Sequence, residues 1–406
     1  MGPHRDPSPS GRPYWVLVAI LGALTAFAPM SIDMYLPSLP ALAAALGTDA
    51  AAAQSTLAAF FLGLAIGQLF YGPLSDRLGR RGPLLAGIGL YIAATIACAL
   101  AQSVDSLTVL RFVQALGGCA GVVIARAVVR DRFEVQDSAR VYSLLMLVMG
   151  LAPILAPLLG GYVLALTGWR GIFWALAIFG AAVGLAVLGA LPESRPAAVA
   201  AQARQESALR AYSALLRSRA FLGYILTGAL SSAALFTYIA CSPHLIIETF
   251  GFSPQSFGWV FGLNAFGLIA ATQVNRLLLA RRSARHILRC ANLAGLGFAV
   301  LLFAGAASGI GGQWGVLVPL FLVLANLGFT QPNALASAMA VNPQRAGSAS
   351  GLFGTFQFTL GAIASTVAGT LHDGSARPMA LVIAVVLGLA VLALNGVAER
   401  APPPAD

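Results

Sequence analysis

Lysine is absent from this chain of 406 residues, and charge of any sign is scarce: charged residues make up 9% of it, against about 25% in an ordinary soluble domain. A chain so poor in charge cannot clothe a soluble core, so a soluble globular fold is excluded. Histidine and cysteine are also few, four of each. Cys98, Cys119, Cys241 and Cys290 stand in apolar runs at unrelated spacing, which suits neither a disulfide framework nor a metal site. The histidines, at positions 4, 244, 286 and 372, fall in or beside tails and loops, so no histidine relay is expected. No glycine cluster follows a strand as a phosphate-binding loop would, and no nucleophile stands with a base inside an apolar segment. A nucleotide-driven pump and a membrane enzyme are both argued against, and no cofactor or metal is expected.

What the chain has in abundance is apolar sequence, 58% of all residues, and glycine, 44 residues. At about 20 residues per crossing, twelve helices would take roughly 240 positions and leave only short loops. The spans read as a kinked first helix from Tyr14 to about Leu46, bent near Pro29, Pro37 or Pro40, then 52–72, 83–102, 107–128, 139–164 and 171–191. Six more follow at 221–242, 256–277, 286–307, 314–338, 347–370 and 378–397. The expected fold is therefore an all-α integral membrane protein of twelve transmembrane helices in two six-helix bundles. Its expected parts are a disordered tail at 1–13, a first bundle at 14–191, a linker at 192–220 with one short amphipathic helix, a second bundle at 221–398, and a tail at 399–406. Glycines four apart, such as Gly63 and Gly67, suit close helix packing in lipid.

The net charge of +10 comes entirely from 24 arginines. All but four lie on one side of the membrane in this topology; Arg170 and Arg377 fall opposite, and Arg111 and Arg126 inside the fourth span. That asymmetry is the positive-inside pattern, so the charge reports orientation, not nucleic-acid binding. Both termini and the linker are expected in the cytoplasm. Trp15, Trp169 and Trp314 stand near span ends, as interfacial anchors do.

Charges inside the hydrocarbon are the strongest functional signal, because each costs at least about 2.5–3.5 kcal/mol at a span centre. Asp33 follows Tyr14 by 19 positions, and Arg111 precedes Arg130 by 19. Each is therefore roughly 28 Å of helix from the inner face, and equal depth makes the two candidate partners. Gln114 lies one helical turn from Arg111 on the same face. Between the second and third spans, Gly72, Asp76, Arg77, Gly79, Arg80 and Arg81 form a turn in which one acid among three arginines can act as an ion-pair latch. The fifth span carries Gly150, Pro153, Pro157, Gly160 and Gly161, a density that implies a bend or a close contact with a neighbouring helix.

At these residues the chain resembles the major facilitator superfamily, and within it the twelve-helix drug:proton antiporters. The 72–81 loop looks like motif A of that superfamily, the Arg111 region like motif B, and 150–161 like the antiporter motif C, with Ala156 where the family usually has glycine. The run Pro29 to Pro37 and the run Arg345 to Gln357 are similar to the Bcr/CflA family of bicyclomycin and chloramphenicol exporters. The resemblance implies that Asp33 alternately binds proton and drug, with Arg111 modulating it. It also implies that Asp76 meets the start of the eleventh helix near Gly347 and Ser348, and that Arg80 pairs with Asp131. Tyr35, Tyr142, Tyr238, Asn264, Asn326 and Gln357 are candidate cavity-lining groups.

The function expected is a proton-coupled antiporter that exports lipophilic small molecules or drugs across the inner membrane by alternating access. The alternative is a proton-coupled carrier of a native metabolite such as a small peptide, sugar or siderophore. Its partners would be the substrate, protons and the bilayer, and it would work as a monomer.

Overall fold

A computed structural model describes residues 12–133, 135–195, 208–342 and 345–398, and all regular elements among them are helical. The expected tails at 1–11 and 399–406, and residues 196–207 of the linker, lie outside the described residues. The first half consists of α1 (Arg12–Asp33), a 3-10 turn (Leu36–Ser38), α2 (Leu39–Leu46), α3 (Ala50–Leu78), α4 (Arg81–Ala99), α5 (Val104–Arg132) and α6 (Val135–Ala190). A short amphipathic α7 (Ala208–Leu216) lies in the linker. The second half consists of α8 (Arg219–Pro243) with a π turn (His244–Thr249), α9 (Pro254–Leu278), α10 (Ala284–Ser308), α11 (Trp314–Val341), α12 (Ala346–Thr370) and α13 (Arg377–Leu392).

Eleven described stretches are long and apolar enough to span a bilayer, and one of them, Leu147–Ala190, has 44 residues. At 1.5 Å per residue that is about 66 Å, the thickness of two hydrocarbon cores. Gly168, with φ 73°, breaks it into two crossings, giving twelve in all. Leu166, Ile178 and Leu185 point outward, which is costly in water and neutral in lipid. Of the expected tryptophan anchors, Trp15 and Trp314 are exposed, but Trp169 is buried against Phe173.

The first span differs from a single kinked helix. α1 passes through Pro29 without interruption and stops at Asp33; the chain then turns through Leu36–Ser38 and restarts as α2. The stop falls where Pro37 has no N–H to offer the Asp33 carbonyl one turn back, and its ring crowds that carbonyl. This leaves the last carbonyls of α1 without helical partners in mid-membrane, a condition that other groups must satisfy.

Small residues set how closely the helices approach. A Cβ at Gly63 would stand 2.4 Å from the Phe112 carbonyl oxygen, so α3 and α5 touch backbone to backbone. The two halves meet along α3 with α12 and α6 with α9: Thr355 Oγ1 donates to the Ala65 carbonyl at 3.1 Å, and Leu158 packs against Gly258. Gly63→Val should therefore force α3 and α5 apart at a cost of about 1–3 kcal/mol or more, lowering the unfolding temperature of the detergent-solubilised protein. Gly89→Ala, where a Cβ meets nothing within 4 Å, should leave that temperature unchanged or slightly raised.

Candidate functional site

Arg111 is fully buried on α5. Its Nη1 donates to Gln114 Oε1 at 2.6 Å, and Gln114 Nε2 in turn donates to Thr95 Oγ1 at 2.8 Å. Its Nη2 donates to the Ser31 carbonyl at 3.0 Å. Ser31 is in the last turn of α1, so the guanidinium satisfies one of the orphaned carbonyls and sits at the negative end of the helix dipole. The rings of Phe60, Tyr35 and Phe173 stand 4.2, 4.5 and 5.8 Å from its carbon, and cation–π attraction in a desolvated site is worth about 2 kcal/mol or more. Tyr35 is fixed in turn by a 2.9 Å hydrogen bond to Thr56.

The structure does not pair Asp33 with Arg111. Residues two apart on a helix point in nearly opposite directions, so the α1 face that offers Ser31 to Arg111 turns Asp33 away. Equal depth brings the arginine to the right turn of α1, but to its backbone. Asp33 is 4% exposed, and its carboxyl makes no hydrogen bond or ion pair with any described residue. On the second half, Tyr238 of α8 accepts a 2.9 Å hydrogen bond from Asn264 Nδ2 of α9.

At the Arg-rich end, Arg80 organises the α3–α4 turn. Its Nε donates to Asp131 Oδ2 at 2.7 Å, and its Nη1 donates to Asp76 Oδ1 at 2.5 Å and to Ser75 Oγ at 2.8 Å. Glu193, not singled out by the sequence reading, receives the backbone N–H groups of Arg80 at 2.8 Å and Arg81 at 3.1 Å. Partial burial opposes its ionisation, but the N–H groups of Arg80, Arg195, Arg81 and Ser194 outweigh that and hold the carboxyl below its ordinary range. Gly79, at φ 100°, is needed here twice over: a Cβ would be conformationally strained and would stand 2.7 Å from Glu193 Oε2. The Arg77 carbonyl accepts from Arg195, the Gly72 carbonyl accepts from Ser75, and Arg81 Nη2 reaches the Leu188 carbonyl. Asp76 makes no hydrogen bond to α12 among the described residues. Near Gly347, the closest side-chain atom is Arg130 Nη1, 3.8 Å from where a Cβ would stand.

The segment from Gly150 to Gly161 is unbroken helix, with Pro153 and Pro157 inside it. Of the two expected outcomes, close contact is the one present. A Cβ on Gly160 would stand 2.1 Å from the Met34 carbonyl, one on Gly161 would be 3.0 Å from the Pro254 carbonyl, and one on Gly150 would be 3.2 Å from Ile269. α6 is thus pressed against both the end of α1 and α9 of the other half. The remaining polar groups divide by role: Tyr142 donates to the Arg126 carbonyl and Asn326 to the Ala291 carbonyl, satisfying backbone, while Gln357 is half-buried on α12. Phe60, Phe173 and Thr95 were missed by sequence because apolar and hydroxyl residues in a span carry no distinguishing pattern.

Twelve crossings in two sets of six, meeting around buried charge, define a polytopic membrane transporter. The Major Facilitator Superfamily model matches residues 21–366. An uncharacterized MFS-type transporter, YdgK, of Bacillus subtilis is 34% identical over 97% of this chain and 98% of its own. The bicyclomycin resistance protein homolog of Haemophilus influenzae is 30% identical over 95% and 97%. Multidrug resistance protein MdtL of Escherichia coli is 35% identical over 60% and 61%. Among solved structures, a D-xylose–proton symporter superposes with TM-score 0.72 at 16% identity, covering 94% of this chain and 98% of that one; at that identity the likeness concerns the fold alone. The chain belongs to the Major Facilitator Superfamily, and it is a transporter of small molecules, not an enzyme.

Because Arg111 is held by backbone, amide and rings, its substitution should be energetically independent of Asp33. Arg111→Lys keeps the charge but loses the planar fork, and should lower stability by about 1–3 kcal/mol. Combined with Asp33→Asn, the effects should add to within about 0.5 kcal/mol in denaturation of the purified protein; a larger coupling would mean the two pair directly.

Proposed function

We propose that this transporter is a proton-coupled antiporter that exports lipophilic, drug-like molecules across the bacterial inner membrane by alternating access, working as a monomer. The observation that carries this reading is Asp33: a carboxyl buried within the first span, at the end of α1, without an ion-pair partner among the described residues. Held against Arg111, such an acid would remain ionised and be of little use for exchange. Turned away from it, the acid can be neutralised either by a proton or by a cationic or hydrogen-bonding cargo, and not by both at once. Mutual exclusion at one group is what converts a proton flux into exchange. The driving force is ample, about 1.4 kcal/mol per pH unit and 2.3 kcal/mol per 100 mV for each proton. The resistance functions carried in the names of two relatives and the Bcr/CflA-like runs at Pro29–Pro37 and Arg345–Gln357 favour drugs as cargo and export as direction.

The Arg80 cluster gives this cycle a rigid lever at the Arg-rich end, tying α3, α4 and α5 to the start of the linker through Asp131 and Glu193. The glycine-lined contacts of α6 with α9 and of α3 with α12 provide surfaces along which the halves tilt.

In a pump-deficient bacterial host, the wild-type chain should lower accumulation of members of a panel of lipophilic drugs, and a protonophore should abolish the effect. Asp33→Asn, which cannot titrate, should be inserted normally yet leave accumulation at the empty-vector level. Protonophore-sensitive efflux by that variant would place the coupling acid elsewhere.

A further inference from the structure

The linker is bonded to the first half near both of its ends, and the second of these contacts answers a defect in α3. Pro73 stands inside α3 and has no N–H, so the Leu69 carbonyl four residues back loses its usual helical donor. The Tyr212 hydroxyl of α7 donates to that carbonyl at 3.2 Å. Gly351 of α12 lies beside the same spot: an added Cβ would stand 3.6 Å from the Gln68 carbonyl oxygen and 3.9 Å from the Tyr212 oxygen. The linker and both halves therefore converge there. Burial pushes the Tyr212 hydroxyl above its ordinary range, and the Asp76 charge adds to the shift, so the group stays a donor at physiological pH.

Apart from this bond, α7 belongs with the second half. Ala211 and Leu215 are buried, Leu215 in a cluster with Phe221 of α8 and with Leu352 and Phe353 of α12, and only Arg217 and Ser218 separate α7 from α8. On the α3 side, Leu69 packs against the edge of that cluster. The start of the linker is fastened elsewhere: Arg195 Nη1 donates to the Asp76 carbonyl at 3.2 Å and to the Arg77 carbonyl. One end of the linker thus stays with the first half and the other with the second. Parting the halves on the Arg-rich side must break the Tyr212 bond and leaves the Arg195 bonds intact.

We propose that α7 is a state-selective latch: the Tyr212 hydroxyl holds the halves together on the Arg-rich side by satisfying the carbonyl that Pro73 leaves open, and it lets go when that side parts. The proposal rests on alternating access. Once the halves separate, water takes the place of the hydroxyl at Leu69, so the latch contributes only the net worth of one hydrogen bond, a factor of roughly two to ten in the equilibrium. A bond of that size biases the closed state without trapping it. The bias acts through the linker, so the one covalent connection between the halves also reports which way they are tilted.

The test is distance measurement by pulsed electron spin resonance on the purified full chain, with Cys290, the exposed native cysteine, replaced by serine. Spin labels at the exposed positions Leu78 and Arg281, each changed to cysteine, report the Arg-rich side, and a second pair at Gln102 and Ile310 reports the opposite side. Each pair should show a short and a long distance. Tyr212→Phe, which keeps the ring in its cluster, should raise the ratio of long to short on the Arg-rich side about two- to tenfold and lower it on the other. Ser213→Ala, on the exposed face of α7, should leave both ratios unchanged. Pro73→Ala gives the Leu69 carbonyl a donor within α3, and in that background Tyr212→Phe should have a clearly smaller effect. A ratio unmoved by Tyr212→Phe while both distances are present, or moved equally with and without Pro73, would overturn the latch and leave alternating access standing. A single distance for both pairs in every variant, at acid and alkaline pH alike, would instead overturn the alternating access on which the latch rests.

Discussion

A guanidinium sealed inside a membrane span is tolerable only if its charge is met and its terminal nitrogens find acceptors, and the centre of this protein is arranged around that demand. Arg111 is met by a helix end, an amide and three aromatic rings. The helix end exists because α1 stops in mid-membrane, and α1 stops because Pro37 does not allow it to continue. Each defect thus repairs the other: the broken helix has carbonyls to spare, and the arginine has donors to spare. The same geometry decides where Asp33 points. With Ser31 facing α5, Asp33 faces away from the cation, and the acid is left free to change its charge.

The Arg-rich end follows a different logic. Arg80 is surrounded by carboxylates, Glu193 gathers backbone N–H groups, and the turn is crossed by Gly79 with no room for a side chain. Such a densely bonded network is stiff, which suits a lever better than a binding site. Flexibility is instead available where the halves touch through glycines and hydroxyls, in contacts that are close but hold little polar interaction. A transporter needs both: rigid halves so that movement at one end is felt at the other, and a junction that costs little to open.

Much of this was legible in the sequence because membrane physics is restrictive. Runs of apolar residues bounded by arginines gave each span to within a few residues, and a charge at span depth marked Asp33 and Arg111. What depth cannot give is rotation. Arg111 reaches the last turn of α1, yet the angle between Ser31 and Asp33 around α1 separates it from the acid, and nothing in the chain announces that a backbone carbonyl, not the acid, is the partner. Likewise the glycines and prolines of 150–161 left a bend or a close contact open, and only the packing of Gly160 against the Met34 carbonyl decides for contact. Glu193 was hidden by its setting in a polar linker, where an acid is unremarkable until the N–H groups that surround it are seen.

The central claim is that a single uncompensated carboxyl exchanges its proton for cargo. It is tested most directly by titrating purified protein with a lipophilic cation such as tetraphenylphosphonium in weakly buffered detergent solution and counting the protons released per molecule bound. The account predicts release approaching one proton per bound cation at pH values where the carboxyl is protonated, falling away at higher pH, and binding without release in Asp33→Asn. Binding to the wild type with no proton released, or unchanged release from Asp33→Asn, would contradict it.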